Sequence, residues 1–226
     1  IGSEAAGACA SIEARNHGMR IAVVTKGRVA KSGATLTAVG DINVDSRSVK
    51  IIFGQPGDER DTNDIFFEDV VKEGKYLNNQ QLVEIMVSEA TARVKEITDW
   101  GMKIIGLLQA PGHQYPRGLR MTGNDMARVL KSRLKPSGAA IYEDTIITDL
   151  IQESGRVVGA AGVNLKDGEF MIFKAKAVIL ATGGAMRIWP LTTAPEELTG
   201  DGHAMAYRSG AELVDMEFPM FMPACL

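Results

Sequence analysis

The sequence predicts an α/β fold that combines a parallel sheet, a three-stranded antiparallel meander and flanking helices. Three observations support this class. A glycine-punctuated turn precedes a short helix and the apolar run "IAVV" at 21–24; three β-rich runs separated by glycine turns occupy 145–175; and "KAVILATGG" at 176–184 runs from an apolar strand into a double glycine. Continuous apolar runs are typical of parallel strands that are buried on both faces.

Composition narrows the class of protein. The chain has 226 residues, of which 45% are hydrophobic, and this is enough for one large domain or two small ones. Its net charge of -3 argues against a dedicated nucleic-acid surface, and its longest apolar runs are far too short to span a bilayer. Cys9 and Cys225 lack metal-ligand spacing, so we expect two reduced thiols in the cytoplasm and no metal site.

The opening segment, "IGSEAAGACASIEARNHGMRIAVV", has the order of a Rossmann dinucleotide-binding unit from its turn onward. Small residues over 5–16 predict a helix that lies close to a sheet, and Gly18 is suited to end it. Such a turn brings backbone N–H groups and a helix N-terminus to a pyrophosphate. Only Ile1 precedes the turn, so we expect a fragment of a longer chain with a truncated first strand.

Two helices are predicted in the middle of the chain. From Asn78 to Trp100, apolar residues recur at steps of three or four. The recurring apolar residues are Leu82, Ile85, Met86, Ala90, Val94 and Ile97. The second helix begins at the capping-box spacing of Thr122 and Asp125, and Pro136 closes it.

Three other segments carry weaker or different signals. Residues 31–43 are hydroxyl-rich and show neither a helical nor a strand period, and the acidic stretch 57–69 is expected to be exposed. The runs within 145–175 are separated by "QESG" and "NLKDG", each with a glycine suited to a tight turn, which predicts the antiparallel meander.

The order of several segments resembles the flavoprotein subunits of the succinate dehydrogenase/fumarate reductase family, which includes L-aspartate oxidase. These segments are "KSGATLTAVGDI" at 31–42, the meander leading into "AVILATGG", and "TGDGHAMAYRSGAELVDMEF" at 199–218. The resemblance runs over the whole chain but covers only the N-terminal FAD-binding region of that family. It implies that residues 1–226 form a Rossmann-like FAD-binding domain of an oxidoreductase that transfers hydride at flavin N5.

The resemblance also implies cofactor contacts at matching positions. The opening turn would hold the FAD pyrophosphate, the residues after "IAVV" would meet the ribose, and the hydroxyl-rich loop would run beside the flavin. The implied cofactor-binding residues are Gly2, Ser3, Ala5, Ala6, Gly7, Thr25, Lys26, Ser32, Gly33, Ala34, Thr35, Leu36, Thr37, Ile147, Ala181, Thr182, Gly183, Gly184 and Asp201. The simpler interpretation is loop capping for Ser32 and Thr35, and a helix N-cap for Asp201.

Two departures from the family pattern bear on the chemistry. Ala34 stands where succinate dehydrogenases carry the histidine that links covalently to the flavin. Alanine has no nucleophile, so FAD should be non-covalent, which favours reductase or oxidase roles over succinate oxidation. The family's "QFHPT" is here "MFMPA", and Met222 cannot donate a hydrogen bond. We therefore expect a small carboxylate-like or related unsaturated substrate, but not plain fumarate bound in the usual way.

A third departure is Glu4, which stands where a dinucleotide turn usually has its second glycine. A carboxylate beside a pyrophosphate is repelled by roughly 1 kcal/mol or more at short range. We therefore expect Glu4 to point away from the phosphates or to take a partner such as Lys26 or Arg20.

Catalytic residues are not assigned in this chain, because the family's proton-transferring arginine lies beyond the flavin domain. Gly112, His113 and Arg117 in "PGHQYPRG" resemble a segment of aspartate oxidases that lies near the flavin edge. His113 titrates near neutral pH, but a structural or surface role is the stronger expectation. The family implies a small-molecule substrate and an iron–sulfur or other electron-transfer subunit, which would also account for any place at the inner face of a membrane.

Alternatives remain open at this stage. Within the family, L-aspartate oxidase and the flavoprotein subunit of adenylylsulfate reductase are both candidates. Outside it, Glu4 and the missing histidines would also suit a non-catalytic nucleotide-binding or assembly module on the same fold. Flavin content separates these classes, since a module without chemistry need not hold FAD.

Overall fold

The computed structural model describes residues 1–220. The chain divides into two compact units: the first unit comprises residues 1–37 together with those from 130 onward, and the second unit comprises 38–129. No helix in the described part of the chain is both long and apolar enough to cross a membrane.

Helices and strands are both present in the described part of the chain. The helices are α1 Ala5–Asn16, α2 Ala34–Thr37, α3 Ser46–Ile51, α4 Asn63–Glu73, α5 Gln80–Asp99, α6 Gly123–Leu134 and α7 Asp201–Arg208. The strands are β1 Ala22–Val24, β2 Val39–Asn43, β3 Gly106–Leu108, β4 Gly118–Thr122, β5 Ala140–Tyr142, β6 Thr145–Glu153, β7 Arg156–Asn164 and β8 Phe170–Lys174. The fold is therefore mixed α/β, as the sequence predicts.

The first unit contains a parallel pair and an antiparallel sheet. Strands β1 and β5 run parallel, with Val23 opposite Ile141. Strands β6, β7 and β8 form the antiparallel meander in sequential order, which confirms that prediction. A core cluster of Val24, Ile147 and Met205 joins β1, β6 and α7, so these elements fix the positions of the loops that leave them.

The segment 177–181 is not a regular strand, so that prediction was wrong. The N-terminal amino group of Ile1 donates to the carbonyl of Ile179 at 2.6 Å, and the amide of Ala181 donates to the carbonyl of Ile1 at 2.8 Å. Gly2 in turn donates to Val24 at the end of β1. A strand needs a row of such hydrogen bonds with its neighbour. Among the described residues, Ile1 alone forms them with the segment 177–181.

The second unit contains a three-stranded antiparallel sheet in the order β2-β4-β3 and a helix pair, α4 and α5. Strand β2 and helix α2, the latter in the first unit, both arise from 31–43, where no period was visible. Short elements of four or five residues are too brief for periodicity to reveal.

Helix α5 forms where predicted, and valines make up its buried face. Val83, Val87 and Val94 are buried, whereas Leu82 and Ile85 are exposed by 63% and 54%. Both sets recur at helical spacing, so the sequence could not tell which faces the interior. Of the residues on which the helix prediction depends, Val94 is buried, whereas Leu82, Ile85 and Met86 are exposed.

The acidic segment 57–69 is also not uniformly exposed. Asp61, Phe66 and Asp69 are buried, because they surround the guanidinium of Arg117, which is itself fully buried. Arg117 donates to both carboxylates of this group at 2.6–2.7 Å. Paired charges can be buried where an unpaired one would be costly.

Candidate functional site

A cavity of about 340 Å³ lies in the first unit, where the loop after β1 meets the N-terminal ends of α1, α2 and α7. This volume is within the range of small-molecule sites. The residues that line the cavity are Ile1, Gly2, Ser3, Glu4, Ala5, Ala6, Thr25, Lys26, Gly27, Ser32, Gly33, Ala34, Thr35, Thr145, Ile146, Ile147, Ala181, Thr182, Gly183, Glu197, Leu198, Asp201 and Met205. All the cofactor positions named from the sequence are among them except Gly7, Leu36, Thr37 and Gly184.

Close backbone packing shapes one wall of the cavity. Gly2 has a φ of +108°, and a Cβ added there would lie 2.0 Å from the carbonyl oxygen of Ala181. A Cβ added at Gly7 would lie 2.2 Å from the carbonyl oxygen of Gly2. Both glycines are therefore required by the turn itself, although only Gly2 lines the cavity.

The N-terminus of α1 opens onto the cavity, and its own N-cap residue does not cap it. Its N-cap residue, Glu4, makes no capping hydrogen bond to the first turn among the described residues. By contrast, Asp45, Thr62 and Asn79 each cap the N-terminus of their own helix. The Thr35 hydroxyl accepts the N–H of Ala5. The remaining N–H groups of the first turn lie at the positive end of the helix dipole and favour an anion, of which phosphate is the usual one.

Lys26 and Asp201 form an ion pair on another wall. Lys26 Nζ donates to Asp201 Oδ2 at 2.6 Å and to Thr199 Oγ1 at 2.6 Å, and Thr199 donates to Asp201 at 2.9 Å. Burial raises the pKa of Asp201, but the hydrogen bonds from Lys26 and Thr199 outweigh it and leave that pKa below its ordinary value of 3.8. The N-cap interpretation of Asp201 is wrong, because the N-cap of α7 is Gly200.

Glu4 turns toward the loop before α2. Its Oε2 accepts the backbone N–H of Thr35, and the hydroxyl of Thr35 accepts the N–H of Ala5 at 3.2 Å. The carboxylate lies against Gly33, where an added Cβ would be 1.8 Å from Glu4 Oε1. Lys26 is paired with Asp201 instead, and the hydrogen bonds of Glu4 involve no Arg20, so the proposed partners were wrong.

Burial and a nearby carboxylate affect the charge of Glu4. Burial raises the pKa of Glu4, and Glu197 raises it further, while the hydrogen bonds with Thr35 act in the opposite direction. The net shift is upward from an ordinary value of 4.5. The cavity therefore contains a carboxylate whose proton affinity is increased by its surroundings.

Three other small residues near the cavity show how the loop is held. Ser32 Oγ accepts the N–H of Arg28 at 2.7 Å and donates to the Arg28 carbonyl at 3.0 Å, as the loop-capping interpretation expects. Ser3 Oγ donates to Thr25 Oγ1 at 3.1 Å. Ala34 lines the cavity and has no group that could bond covalently to a ligand.

Several cavity residues were missed by sequence reasoning. They are Ile1, Gly27, Thr145, Ile146, Glu197, Leu198 and Met205, and Glu4 was noted only as an anomaly. Met205 stands one helical turn after Asp201, so helical spacing could have identified it. Glu197 had no such signal, because it lies in an irregular segment far from the turn in sequence.

The remaining candidates lie elsewhere. Gly112, His113 and Arg117 belong to the second unit. The ring of His113 packs 5.8 Å from that of Phe66, and burial together with Arg117 lowers the pKa of His113 from 6.5. Met222 lies outside the described residues. Within residues 1–220, no three His, Cys, Asp or Glu side chains are arranged to hold a metal ion.

Comparison with known proteins agrees with this geometry. The FAD binding domain family matches residues 1–226. A fumarate reductase (CoM/CoB) subunit from Methanothermobacter marburgensis is 37% identical over 99% of this chain and 41% of its own length. L-aspartate oxidase from Streptomyces coelicolor is 32% identical over 100% of this chain and 40% of its own length.

A solved structure shares the fold. The Mycobacterium smegmatis Sdh1 complex in its apo form has a chain that superposes with a TM-score of 0.83 at 33% identity, over 93% of this chain and 38% of its own. The chain thus spans about two fifths of the length of these relatives. Taken with the glycine turn and the position of the α1 N-terminus at the cavity, these matches show that the chain belongs to the FAD binding domain family of flavin-dependent oxidoreductases.

Proposed function

We propose that the first unit holds FAD non-covalently in the described cavity, as part of a single FAD-binding domain over residues 1–226. The observation that carries this proposal is the N-terminus of α1, which its own N-cap residue leaves uncapped and which opens onto a cavity in a chain of this family. The α1 end and the turn at Gly2 and Ser3 would take the pyrophosphate. Ala34, which has no nucleophile, supports the non-covalent state.

Each wall of the cavity has a distinct task in this proposal. Thr25 and Lys26 would meet the adenosine ribose, with Lys26 held in place by Asp201. The loop from Ser32 to Thr35 would lie beside the flavin, and Ile147 beside the adenine. Gly7, Leu36, Thr37 and Gly184 would support these contacts from outside the lining. FAD, when bound, supplies hydride transfer at flavin N5.

The names of the relatives support a proposal for the substrate and the partners. We propose reduction of a small unsaturated carboxylate-like substrate, since the first relative is named as a fumarate reductase. The altered "MFMPA" segment argues that plain fumarate is not held in the usual way. An iron–sulfur or other electron-transfer subunit would supply electrons in the cytoplasm, because one relative is named as part of a larger enzyme and the solved structure is named as a complex.

A second candidate is oxidation of an amino dicarboxylate. It is favoured by the L-aspartate oxidase whose alignment covers 100% of this chain at 32% identity. The two candidates differ in the direction of electron flow. Hydrogen peroxide formed from L-aspartate under air would support the second, whereas oxidation of a reduced viologen by an unsaturated carboxylate would support the first.

Cofactor binding is tested directly by the visible spectrum of the purified protein before and after acid precipitation. We expect flavin bands that pass into the supernatant. Flavin that stays in the pellet would contradict the non-covalent site, and a protein that cannot be loaded with FAD would refute the proposal. Thr182→Trp, which places a large side chain in the cavity lining, should lower FAD binding, whereas Ser88→Trp on the exposed side of α5 should not.

A further inference from the structure

Resting on the proposed FAD site, we propose that Glu4 sets the affinity of this site for FAD in two opposing ways. Its acceptor oxygen holds the flavin-side loop to the start of α1, and its negative charge opposes the cofactor pyrophosphate. The site would then bind FAD more tightly as the pH falls and Glu4 takes up a proton.

The holding contact is reciprocal. Glu4 accepts the N–H of Thr35, and Thr35 accepts the N–H of Ala5, so two hydrogen bonds join α1 to α2. Gly33 has a φ of +88° and no Cβ, which leaves room for the carboxylate against the backbone. The loop geometry therefore suits a side chain of this length that carries an acceptor oxygen.

The opposing charge has no cation to neutralise it. Among the side chains that line the cavity, the positive group is the Lys26 ammonium, which donates to Asp201 and Thr199. The group that acts on the charge of Glu4 is Glu197, which is another carboxylate.

The direction of the pH effect follows from linkage. A dianionic pyrophosphate near α1 favours the protonated form of Glu4, so the pKa of Glu4 is higher in the complex than in the FAD-free protein. A ligand that raises the pKa of a group binds more tightly as the pH falls through that range. Burial already places the pKa of Glu4 above 4.5 before FAD binds.

The decisive variant is Glu4→Gln, which keeps an acceptor oxygen for Thr35 but removes the charge. FAD affinity of the FAD-free protein would be measured by quenching of flavin fluorescence from pH 8 to pH 5. We expect Glu4→Gln to lower the Kd roughly fivefold or more at pH 8, since about 1 kcal/mol of repulsion is removed. We also expect it to flatten the pH dependence seen in the wild-type protein.

Two further variants separate charge from contact. Glu4→Ala removes both, so it should bind FAD more weakly than Glu4→Gln. Glu196→Gln removes a neighbouring charge that does not line the cavity, and it should match the wild-type protein. If wild-type protein and Glu4→Gln bind FAD with the same Kd and the same pH profile, the inference is wrong although the FAD site stands. If neither binds FAD at any pH, the inference and the proposed function fall together.

Discussion

Lys26 Nζ and Asp201 Oδ2 lie 2.6 Å apart although 175 positions separate them in the sequence. The contact joins the second residue after β1 to the first residue of α7. Both side chains are only 22% and 33% exposed, so water screens the pair incompletely. The pair therefore ties together the two ends of the first unit that enclose the cavity.

Loss of this pair should destabilise the first unit. We expect Lys26→Met to lower the free energy of unfolding by about 1–2 kcal/mol, since a hydrogen bond to a charged group is lost and Asp201 stays partly buried. The difference in the free energy of unfolding is measured by urea unfolding, with Trp189 fluorescence as the signal in a Trp100→Phe background. Lys50→Met, which breaks the exposed pair with Glu59, should change stability by less than about 0.5 kcal/mol.

The effect of Lys26→Met should also depend on pH. The pKa of Asp201 is lower in the folded protein than its ordinary value of 3.8. The ionised carboxylate therefore stabilises the fold above that value, and this contribution is lost as the pH falls through the folded pKa. The wild-type protein and Lys26→Met should converge in stability at low pH, and a constant gap would show that charge is not the cause.

Arg117 should be essential to the second unit. Its guanidinium is fully buried between Asp61 and Asp69 and lies 4.7 Å from the ring centre of Phe66. We expect Arg117→Met to cost about 3–5 kcal/mol, because two carboxylates are left buried without their cation. Trp100 fluorescence in a Trp189→Phe background reports on this unit during urea unfolding.

The matched control for Arg117 is Arg120→Met, which removes an arginine whose side chain is 47% exposed and lies 3.3 Å from Asp41. This change should cost less than about 1 kcal/mol. Equal effects of the two substitutions would mean that burial of the Arg117 cluster contributes nothing special.

The two apolar faces of α5 can be told apart by truncation. We expect Val87→Ala to lower the free energy of unfolding by about 2 kcal/mol, since Val87 is 4% exposed and packs with Phe66 and Val83. Met86→Ala should stay within about 0.5 kcal/mol, because Met86 is 45% exposed. Trp100 fluorescence during urea unfolding gives both values, and the reverse order would mean that the exposed face of α5 contributes more to stability than the buried one.

Local signals explain what the sequence could predict. The turn at Gly2, helices α1 and α6 and the 145–175 meander each depend on residues close together in the chain, and all four formed as expected. Helix α5 was also found, but valines and larger apolar residues both follow a helical period along it. Which of two such faces is buried depends on the partner helix α4, and no pattern within α5 records it.

Long-range pairing explains what the sequence could not predict. The sequence showed that Glu4 is unusual in the turn. Its partner, Thr35, lies 31 residues later in the chain and takes the place of the cationic partners that were suggested. The segment that contains Asp61 and Asp69 was predicted to be exposed. Both carboxylates are buried, because each accepts a hydrogen bond from Arg117. Polar pairs of this kind have no period, so only the assembled fold shows them.

The turn at Gly2 offers the sharpest separation of backbone strain from cavity shape. Gly2 and Gly18 both have positive φ, at +108° and +75°, but an added Cβ meets the Ala181 carbonyl at 2.0 Å in the first case and no atom within 4 Å in the second. Gly18→Ala should therefore cost only about 1 kcal/mol of conformational strain and leave FAD affinity unchanged. Gly2→Ala must also push the turn away from Ala181, so FAD binding measured by fluorescence quenching should weaken at least tenfold. If the two variants bind FAD equally well, the close approach of Gly2 to Ala181 does not shape the cofactor site.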